Sequence, residues 1–597
     1  MVWMKRHGSD RAPWVGIVLG AAIFAFGLAL ALHYNRRGLG FPDQVLAVGW
    51  RLLTGQVPFR DFSLVQGLTV GVLQVPFFKF FGVNLFSTIL HGAVINGLAG
   101  VLVFGLLQSL GLGRAWSFFY GTLTCVVFYT GWSHPFTTPH GYFFSLVILA
   151  LQAAALKSPR PGPVAVAYGL AGIAAVLSYY SKPVPFGFFL PLFACMWLFV
   201  EGRLKGVAVA AGIAGALLAL SPLASVAGLD GQTWHRIWFY SFVSPLGVGG
   251  SRFTGATGLY ALAKTIASTY RFNMASFILL FAAIVVSVVL VLRAAVRGSP
   301  RDLPKDAIVA FLVGSWTVAA MLLLQVISQY PYFDGLQLMF LSVGCLQLAV
   351  CRLTGAPPAT GADILSGPHR SDSPATAITG LFAVVALMDA LFFHAMVNEQ
   401  RGWTHDWRID QRIAEVPRVP GLDYIQFYTW TAKTGAGVLR LTADDVRAEL
   451  DGILATIDFL KEDAENVLFT WPNTIAFMAA GKPEIMPVLN VIPGYASPLP
   501  GTSEFADFTR SIERNIAKYK VHRVVVPPEK AKKHAERIAQ AAGIVCGREL
   551  KGAFYVLRLC QPAAAGLGDF IAVLVGATER RQAVLSSTLA QPGKSGY

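Results

Sequence analysis

A chain of 597 residues is long enough for several soluble domains, yet 54% of it is hydrophobic and only 14% charged, against about 25% charged in soluble proteins. With a mean hydropathy of +0.55, a purely soluble protein is excluded. The 48 basic residues outnumber the 33 acidic ones by 15; in a multispanning chain that excess collects in cytoplasmic loops and at bilayer surfaces, so no nucleic-acid partner is inferred. Six cysteines are too few for a disulfide framework, show no zinc-like spacing, and four of them (Cys125, Cys195, Cys345, Cys351) read as small hydrophobes in apolar stretches.

In chain order, apolar runs of about 17–25 residues, the length that crosses a bilayer as helix, fall at 14–33, 87–110, 115–131, 141–157, 163–180, 184–200, 206–225, 273–293, 307–327, 336–351 and 376–395. Basic residues mark every second loop: Lys5, Arg6 and Arg11, then Arg114, Lys157 with Arg160, Arg203 with Lys205, Arg293 to Lys305, and Arg352 with Arg370. Short loops rich in Lys and Arg stay cytoplasmic, which places the N-terminus inside and the chain beyond residue 395 outside. The first run is too long for a secretory signal core and is kept as an uncleaved helix. No acid is read at the middle of a run, and no half repeats the other.

Beyond residue 395 the composition turns charged. Val467–Trp471, His522–Val526 and Phe554–Leu559 read as strands, alternating with helices near 504–519 and 529–542. Cys546 and Cys560 stand at the ends of the last two strands; they could pair in an oxidising exterior, but two unpaired buried thiols are the favoured reading. Residues 568–576 are too short to cross the bilayer and either lie on the membrane or pack on the domain. Gly435 and Gly437 lack the third glycine of a dinucleotide fingerprint, since Arg440 stands there. The fold class is therefore an α-helical polytopic membrane protein of about eleven transmembrane helices (1–395), with an exterior α/β domain (396–562) and a C-terminal tail (563–597).

Chemistry is expected in the first outside loop, from Phe41 to Phe62. Asp43 follows a proline and opens an amphipathic helix with Val45, Leu46, Val48, Leu52 and Leu53 on its apolar face, suited to the membrane interface and ended by Gly55. Asp43 also suits an N-cap. The order of features here, an Asp just after the first transmembrane helix, an Ala47 to Leu52-Leu53-Thr-Gly55 helix, Pro58-Phe-Arg-Asp-Phe62, and an apolar segment ending Phe80-Phe81-Gly82, resembles the GT-C superfamily of polytopic glycosyltransferases. The likeness is to the bacterial glycosyltransferase family 39-like members, related to protein mannosyltransferases and aminoarabinose transferases. It extends by motif over about the first 200 residues, and further on to Val467-Leu-Phe-Thr-Trp-Pro-Asn473 with Ala480-Gly-Lys-Pro483.

The resemblance implies an inverting transfer of a sugar from a polyprenyl-phosphate carrier to an acceptor hydroxyl on the exterior face, with Asp43 as general base. A carboxylate within about 3 Å can take the hydroxyl proton as it attacks the anomeric carbon. Asp61 is the second catalytic candidate, with a turn residue paired to Arg60 or Arg51 as the favoured account. Where relatives carry a second acid, this chain offers His134 and His140, which can hold a hydroxyl, a metal or, when protonated, a phosphate. The leaving phosphate needs cations: Lys182, alone between two apolar runs, is weighed evenly against snorkelling, with Arg60, Arg236 and Arg252 as further candidates. Trp234 to Tyr240 reads as an aromatic belt or a lid, and Tyr330 and Tyr332 as residues approaching the carrier.

No metal ligands are assigned; a divalent cation, Mg²⁺ or Mn²⁺, is the open cofactor. The partners implied are the lipid-linked sugar donor, a glycan, lipid or protein acceptor, and the bilayer. The location implied is a bacterial inner membrane. A transporter or lipid flippase and a surface-glycan polymerase or ligase are the rival readings.

Overall fold

The structure is a computed structural model that describes residues 13–37, 43–130, 135–228, 230–246, 278–293, 304–327, 336–354, 374–399, 407–434, 437–463, 465–470, 474–487, 502–541, 543–552, 554–561 and 566–575. Through residue 399 it is almost wholly helical: α1 (Pro13–Asn35), α2 (Asp43–Leu53), α3 (Leu68–Phe81), α4 (Leu85–Leu110), α5 (Arg114–Val127), α6 (Thr137–Ala155), α7 (Pro161–Ser181), α8 (Pro183–Leu198), α9 (Lys205–Ala227), α10 (Gly231–Trp238), α11 (Ile278–Arg293), α12 (Lys305–Ile327), α13 (Met339–Leu353) and α14 (Pro374–Phe393). Among the described residues, five helical stretches are long and apolar enough to cross a membrane: Trp14–Asn35, Leu85–Leu110, Pro161–Ser181, Gly202–Ser225 and Leu336–Leu353. Leu68–Phe81, Pro183–Leu198, Ile278–Arg293 and Ala377–Phe393 are apolar but shorter.

Apolar helices in lipid gain little from hydrophobic contact with one another, so close backbone approach and interhelical hydrogen bonds carry the packing. Glycines make that approach. A Cβ built on Gly172 of α7 would lie 2.0 Å from the Gly212 carbonyl oxygen of α9, and one on Gly215 would lie 1.9 Å from that of Gly169. The α1–α4 crossing is equally tight, with Gly27 facing Gly97. Polar side chains add to it: Asn96 of α4 donates to the Gly27 carbonyl at 2.9 Å and the Cys125 carbonyl at 3.0 Å, joining α1, α4 and α5. Tyr120 donates to Gln347 at 2.5 Å, and Thr317 meets Ser342 at 2.6 Å. The absence of a mid-run acid does not hold: Asp389 in α14 is 5% exposed, and its Oδ2 has no hydrogen-bond partner.

The C-terminal region holds two sheets. β1 (Trp407–Arg412), β2 (Tyr428–Thr434) and β3 (Gly437–Leu441) form an antiparallel meander that the sequence pattern did not reveal. After α15 (Ala443–Glu462) come β4 (Val467–Phe469), α16 (Thr474–Ala480), α17 (Ser503–Lys518), β5 (Arg523–Val526), α18 (Pro528–Lys533), α19 (Ala535–Gln540), β6 (Val545–Lys551), β7 (Phe554–Leu559) and α20 (Leu567–Leu574). The second sheet runs β4-β5-β7-β6, with β4 and β5 parallel and the other pairs antiparallel. Val524, Val525 and Val526 are all buried, as a central strand covered on both faces requires. β6 contains Cys546, which the sequence reading placed at a strand end, but Gly547, Arg548, Glu549 and Lys551 leave little apolar signal to set its range.

Two further readings are corrected. Cys546 and Cys560 form a disulfide across β6 and the end of β7, with Cα atoms 4.9 Å apart, because antiparallel neighbours bring the two positions together. The tail helix α20 buries Leu567, Ile571 and Leu574 in the domain core, and the Gly568 amide donates to Glu513 at 2.9 Å. The domain thus extends past residue 562.

Candidate functional site

The C-terminal domain seats on the end of the bundle where α1 and α5 finish and α4 and α6 begin. The Gln426 amide donates to the Arg36 carbonyl at 2.7 Å, the Leu85 amide to Gly421 at 2.8 Å, and the Tyr424 hydroxyl to the Leu32 carbonyl at 3.0 Å. The loop between α1 and α4 is enclosed between these bodies.

Asp43 is the first residue of α2. Leu46, Val48 and Trp50 bury the helix's apolar face inside the protein, against α3 and the domain, so it does not lie open to an interface. A Cβ on Gly71 of α3 would lie 2.1 Å from Val48 Cγ1, which is why α3 carries glycine there. Gly55, at φ +79°, ends α2.

From Lys482 to Pro487 the domain runs beside this loop and meets it with successive carbonyls. Lys482 accepts from Trp50 Nε1 at 2.9 Å, Glu484 from Gln56 Nε2 at 2.7 Å, Met486 from Arg51, and Pro487 from the Ser63 amide at 2.7 Å. Arg51 is fully buried and lies 3.5 Å from the Glu484 carboxylate. Arg51 is therefore not the partner of Asp61.

Asp61 is 2% exposed. Its Oδ1 lies 2.8 Å from Lys518 Nζ at the end of α17, its Oδ2 accepts the Val57 amide at 2.8 Å, and Arg60 reaches it at 3.4 Å. Burial pushes this carboxyl up, but Lys518, the Val57 amide and Arg60 together outweigh it and hold the group below its ordinary range. Asn515 Nδ2 binds the Asp61 carbonyl at 2.7 Å and that of Ile485 at 2.9 Å. Asp61 is thus a tie between loop and domain, as its turn reading anticipated for Arg60 and did not anticipate for Lys518.

Arg236, expected to face a phosphate from a lid, is 3% exposed and already engaged. Its Nε and Nη2 meet Asp507 of α17 at 2.5 and 2.8 Å, and Nη1 donates to the carbonyls of Phe59 and Arg60 at 3.3 and 3.1 Å. Arg514 also donates to the Arg60 carbonyl. The Arg60 side chain itself is nearly half exposed.

Lys182 sits between α7 and α8. It precedes Pro183, the first residue of α8, and its Nζ donates to Thr138 Oγ1 in the first turn of α6 at 2.6 Å. One cation thereby belongs to the residue that ends α7 and opens α8, and it reaches the first turn of α6. The Gly67 amide donates to the Ser181 carbonyl at 3.0 Å, bringing the first loop to the same place.

Two residues beyond Thr138, His140 is buried. Its Nε2 faces His91 Nε2 of α4 at 3.0 Å, its Nδ1 lies 2.6 Å from the Tyr129 hydroxyl, and His91 Nδ1 lies 3.0 Å from Gln74 Oε1. The Tyr129 hydroxyl donates to the Phe136 carbonyl at 3.1 Å and accepts the Phe136 amide at 2.6 Å, and His140 Nδ1 also lies 3.0 Å from that carbonyl. This accounts for His140 by neighbours that the sequence pattern did not connect, Gln74 and His91.

A narrow cleft with room for little more than one water molecule adjoins Pro183, the residue after Lys182. Phe59, Leu64 and Gln66 of the first loop face Tyr179, Tyr180 and Ser241 across it, with Pro183 adjoining. His134, Arg252, Tyr330 and Tyr332 lie outside the described residues. Among the described residues, no group of three or more His, Cys, Asp or Glu side chains could hold a metal ion. No protein-family model matches the chain, and no curated protein matches it in sequence.

Proposed function

We propose that this is an integral-membrane inverting glycosyltransferase that moves a sugar from a polyprenyl-phosphate carrier to an acceptor hydroxyl on the exterior face, with Asp43 as general base. The observation that carries the reading is Lys182, the residue that ends α7 and opens α8, whose ammonium lies 2.6 Å from Thr138 Oγ1 in the first turn of α6. A departing lipid phosphate needs such fixed positive charge, held without reorganisation as the bond breaks. In this reading eleven helices cross a bacterial inner membrane, α2, α3 and α10 lie on the exterior side, and the N-terminus is cytoplasmic. The alternation of basic loops supports that direction, and the Cys546–Cys560 disulfide suits an oxidising exterior for the C-terminal domain.

On this account Asp61 and Arg236 hold the first loop in place, and Asp43 accepts the acceptor's proton as the hydroxyl oxygen attacks the anomeric carbon opposite the leaving phosphate. Any divalent cation would serve the leaving phosphate. One observation favours a different class: the buried, unpaired carboxyl oxygen of Asp389 within an apolar helix is the kind of group that transporters carry. The test is Asp43→Asn in proteoliposomes with a polyprenyl-phosphate sugar donor. The proposal expects correct insertion and sugar transfer reduced at least a hundredfold. Full turnover by that variant removes Asp43 from the mechanism, and proton-coupled flux dependent on Asp389 without transfer replaces the reading altogether.

A further inference from the structure

The helical run 231–246, in which α10 passes through a π-helical turn at Phe239–Val243 and continues, has three unlike sides. The inner side is buried. There Ile237 and Tyr240 pack with Phe59, Phe62 and Leu64 of the first loop, and Arg236 donates to the Phe59 and Arg60 carbonyls. The second side is polar and turns to the C-terminal domain, where His235 lies 4.0 Å from the Glu504 carboxylate of α17. The third is a bare ridge. Trp234, Trp238, Phe242 and Leu246, four residues apart in sequence, are 38–75% exposed, and the rings of Trp238 and Phe242 stack at 5.0 Å.

The two ends of the ridge are bolted to two apolar helices. At its start Trp234 Nε1 donates to the carbonyl of Gly228, the residue after α9, at 3.1 Å. Near its end the hydroxyl of Tyr179, in the last turn of α7, donates to the Ser241 carbonyl at 2.5 Å, and the Tyr179 and Phe242 rings lie 5.4 Å apart. Tyr180 of α7 and Leu223 of α9 pack on the same cluster as Ile237 and Tyr240, so α7 and α9 finish side by side beneath the run. Both helices fall within stretches long and apolar enough to cross a membrane. The ridge therefore runs at the level where two such stretches end.

That level selects what covers it. The run of 16 residues is about 24 Å long as helix, short of the roughly 30 Å of a hydrocarbon core, so it lies across the helix ends. Ile213, Leu217 and Leu218 of α9 are themselves exposed, and the ridge prolongs that apolar surface past the end of the helix. Indole rings collect at the headgroup level, where an apolar body and a polar edge are both served. A helix with an apolar ridge on one side and polar groups on another lies in that plane.

We infer that Trp234, Trp238, Phe242 and Leu246 seat in the headgroup–acyl boundary of the leaflet that α7 and α9 reach, the outer one in the orientation proposed above, and that this contact braces the first loop. The brace runs through the helix: lipid holds the ridge, and on the opposite side Arg236 holds the Phe59 and Arg60 carbonyls. The inference rests on α7 and α9 as membrane spans and not on the transferase reading.

The experiment places single nitroxide labels on the full chain in nanodiscs of phosphatidylethanolamine and phosphatidylglycerol. The carriers are His235→Cys, Trp238→Cys and Phe242→Cys in a Cys195→Ser background, the other free thiols being buried. Labels at 238 and 242 are expected to collide more with oxygen, which enters the acyl region, than with a water-soluble nickel chelate, and the label at 235 the reverse. A label at 238 as open to the chelate as that at 235 overturns the inference. So does one shielded from both reagents, which reports a protein partner such as a second copy. For the brace, hydrogen-exchange protection in residues 54–67 is expected to fall about tenfold in Trp234→Ser with Trp238→Ser, and to stay at the wild-type level in Leu217→Ser with Leu218→Ser on α9. Trp238→Gln alone, a single exposed change, is expected to lower it about threefold and keeps the test open if the paired variant fails to insert. Protection unchanged in Trp238→Gln, or lowered equally by the α9 pair, overturns the brace.

Discussion

Arg236 and Asp507, 271 residues apart, meet as a two-point pair at 2.5 and 2.8 Å with the guanidinium 3% exposed. The pair joins α10 to α17 and, through the other arm of Arg236, to the Phe59 and Arg60 carbonyls. Its two ends are not equivalent. Asp507 has a second cation 3.8 Å away in the half-exposed Arg510, whereas the guanidinium of Arg236 has no other carboxylate among its described contacts.

Asp507→Ala should therefore cost more than Arg236→Ala. Leaving a buried charge uncompensated costs on the order of 3–5 kcal/mol, and the double variant Arg236→Met with Asp507→Leu should recover much of the loss. Thermal unfolding of the four proteins in one detergent reads this directly. A loss in the double variant equal to the sum of the two single losses would mean that the pair does not act as a unit.

The Asp61–Lys518 tie carries a pH dependence of known sign. The folded carboxyl titrates below its ordinary value of 3.8, so the contribution is present above that value and is lost as pH falls through the folded pKa. Hydrogen-exchange protection in residues 54–67, taken against the unstructured amide at the same pH, should be flat from pH 7 to about pH 5 and fall only in stronger acid. Asp61→Asn should expose the loop to faster exchange at neutral pH and remove the acid-dependent step.

Helix spacing offers a third test. A single methyl at Gly172 would stand 2.0 Å from the Gly212 carbonyl oxygen, while nothing lies within 4 Å of a methyl at Gly105 in α4. Gly172→Ala should therefore lower stability by about 1–3 kcal/mol through forced separation of α7 and α9, and Gly105→Ala should be tolerated. Detergent-extracted yield and thermal midpoint compare the two.

The disulfide is the fourth. Cys546 and Cys560 are separated by 14 positions, and closing a loop of that order stabilises a domain by about 3 kcal/mol in the chain-entropy account. The paired serine substitutions should lower the unfolding temperature of the C-terminal domain, and a reductant should lower it in the wild type but not in the variant.

Much of the helical layout was legible because hydropathy is a local property. The run read at 163–180 became Pro161–Ser181 and that at 206–225 became Lys205–Ala227, each within a few residues. The strands at Val467, Arg523 and Phe554 were legible for the same reason, being apolar and short. β6 was legible only as a strand end at Cys546, since its residues are mostly polar. The site was legible only in outline. Asp61 and Lys182 stood out as charges among apolar neighbours, but their partners Lys518 and Thr138 lie in other elements, and no spacing rule connects them. His91 and Gln74 carry no motif in the sequence, each following a leucine in a largely apolar helix; only the crossing of α3, α4 and α6 makes them a chain. Asp389 was visible in the sequence and was overlooked.

The clamp on the first loop has a consequence for biogenesis. Asn515 grips the Asp61 carbonyl across 454 residues of chain. At synthesis rates of about 5–20 residues per second, that hairpin waits on the order of half a minute or more after leaving the ribosome before its clasp arrives. Throughout that interval the segment must be held by its neighbours α2 and α3 alone, so truncation by a premature stop before α17 would yield a bundle whose first loop was never clasped.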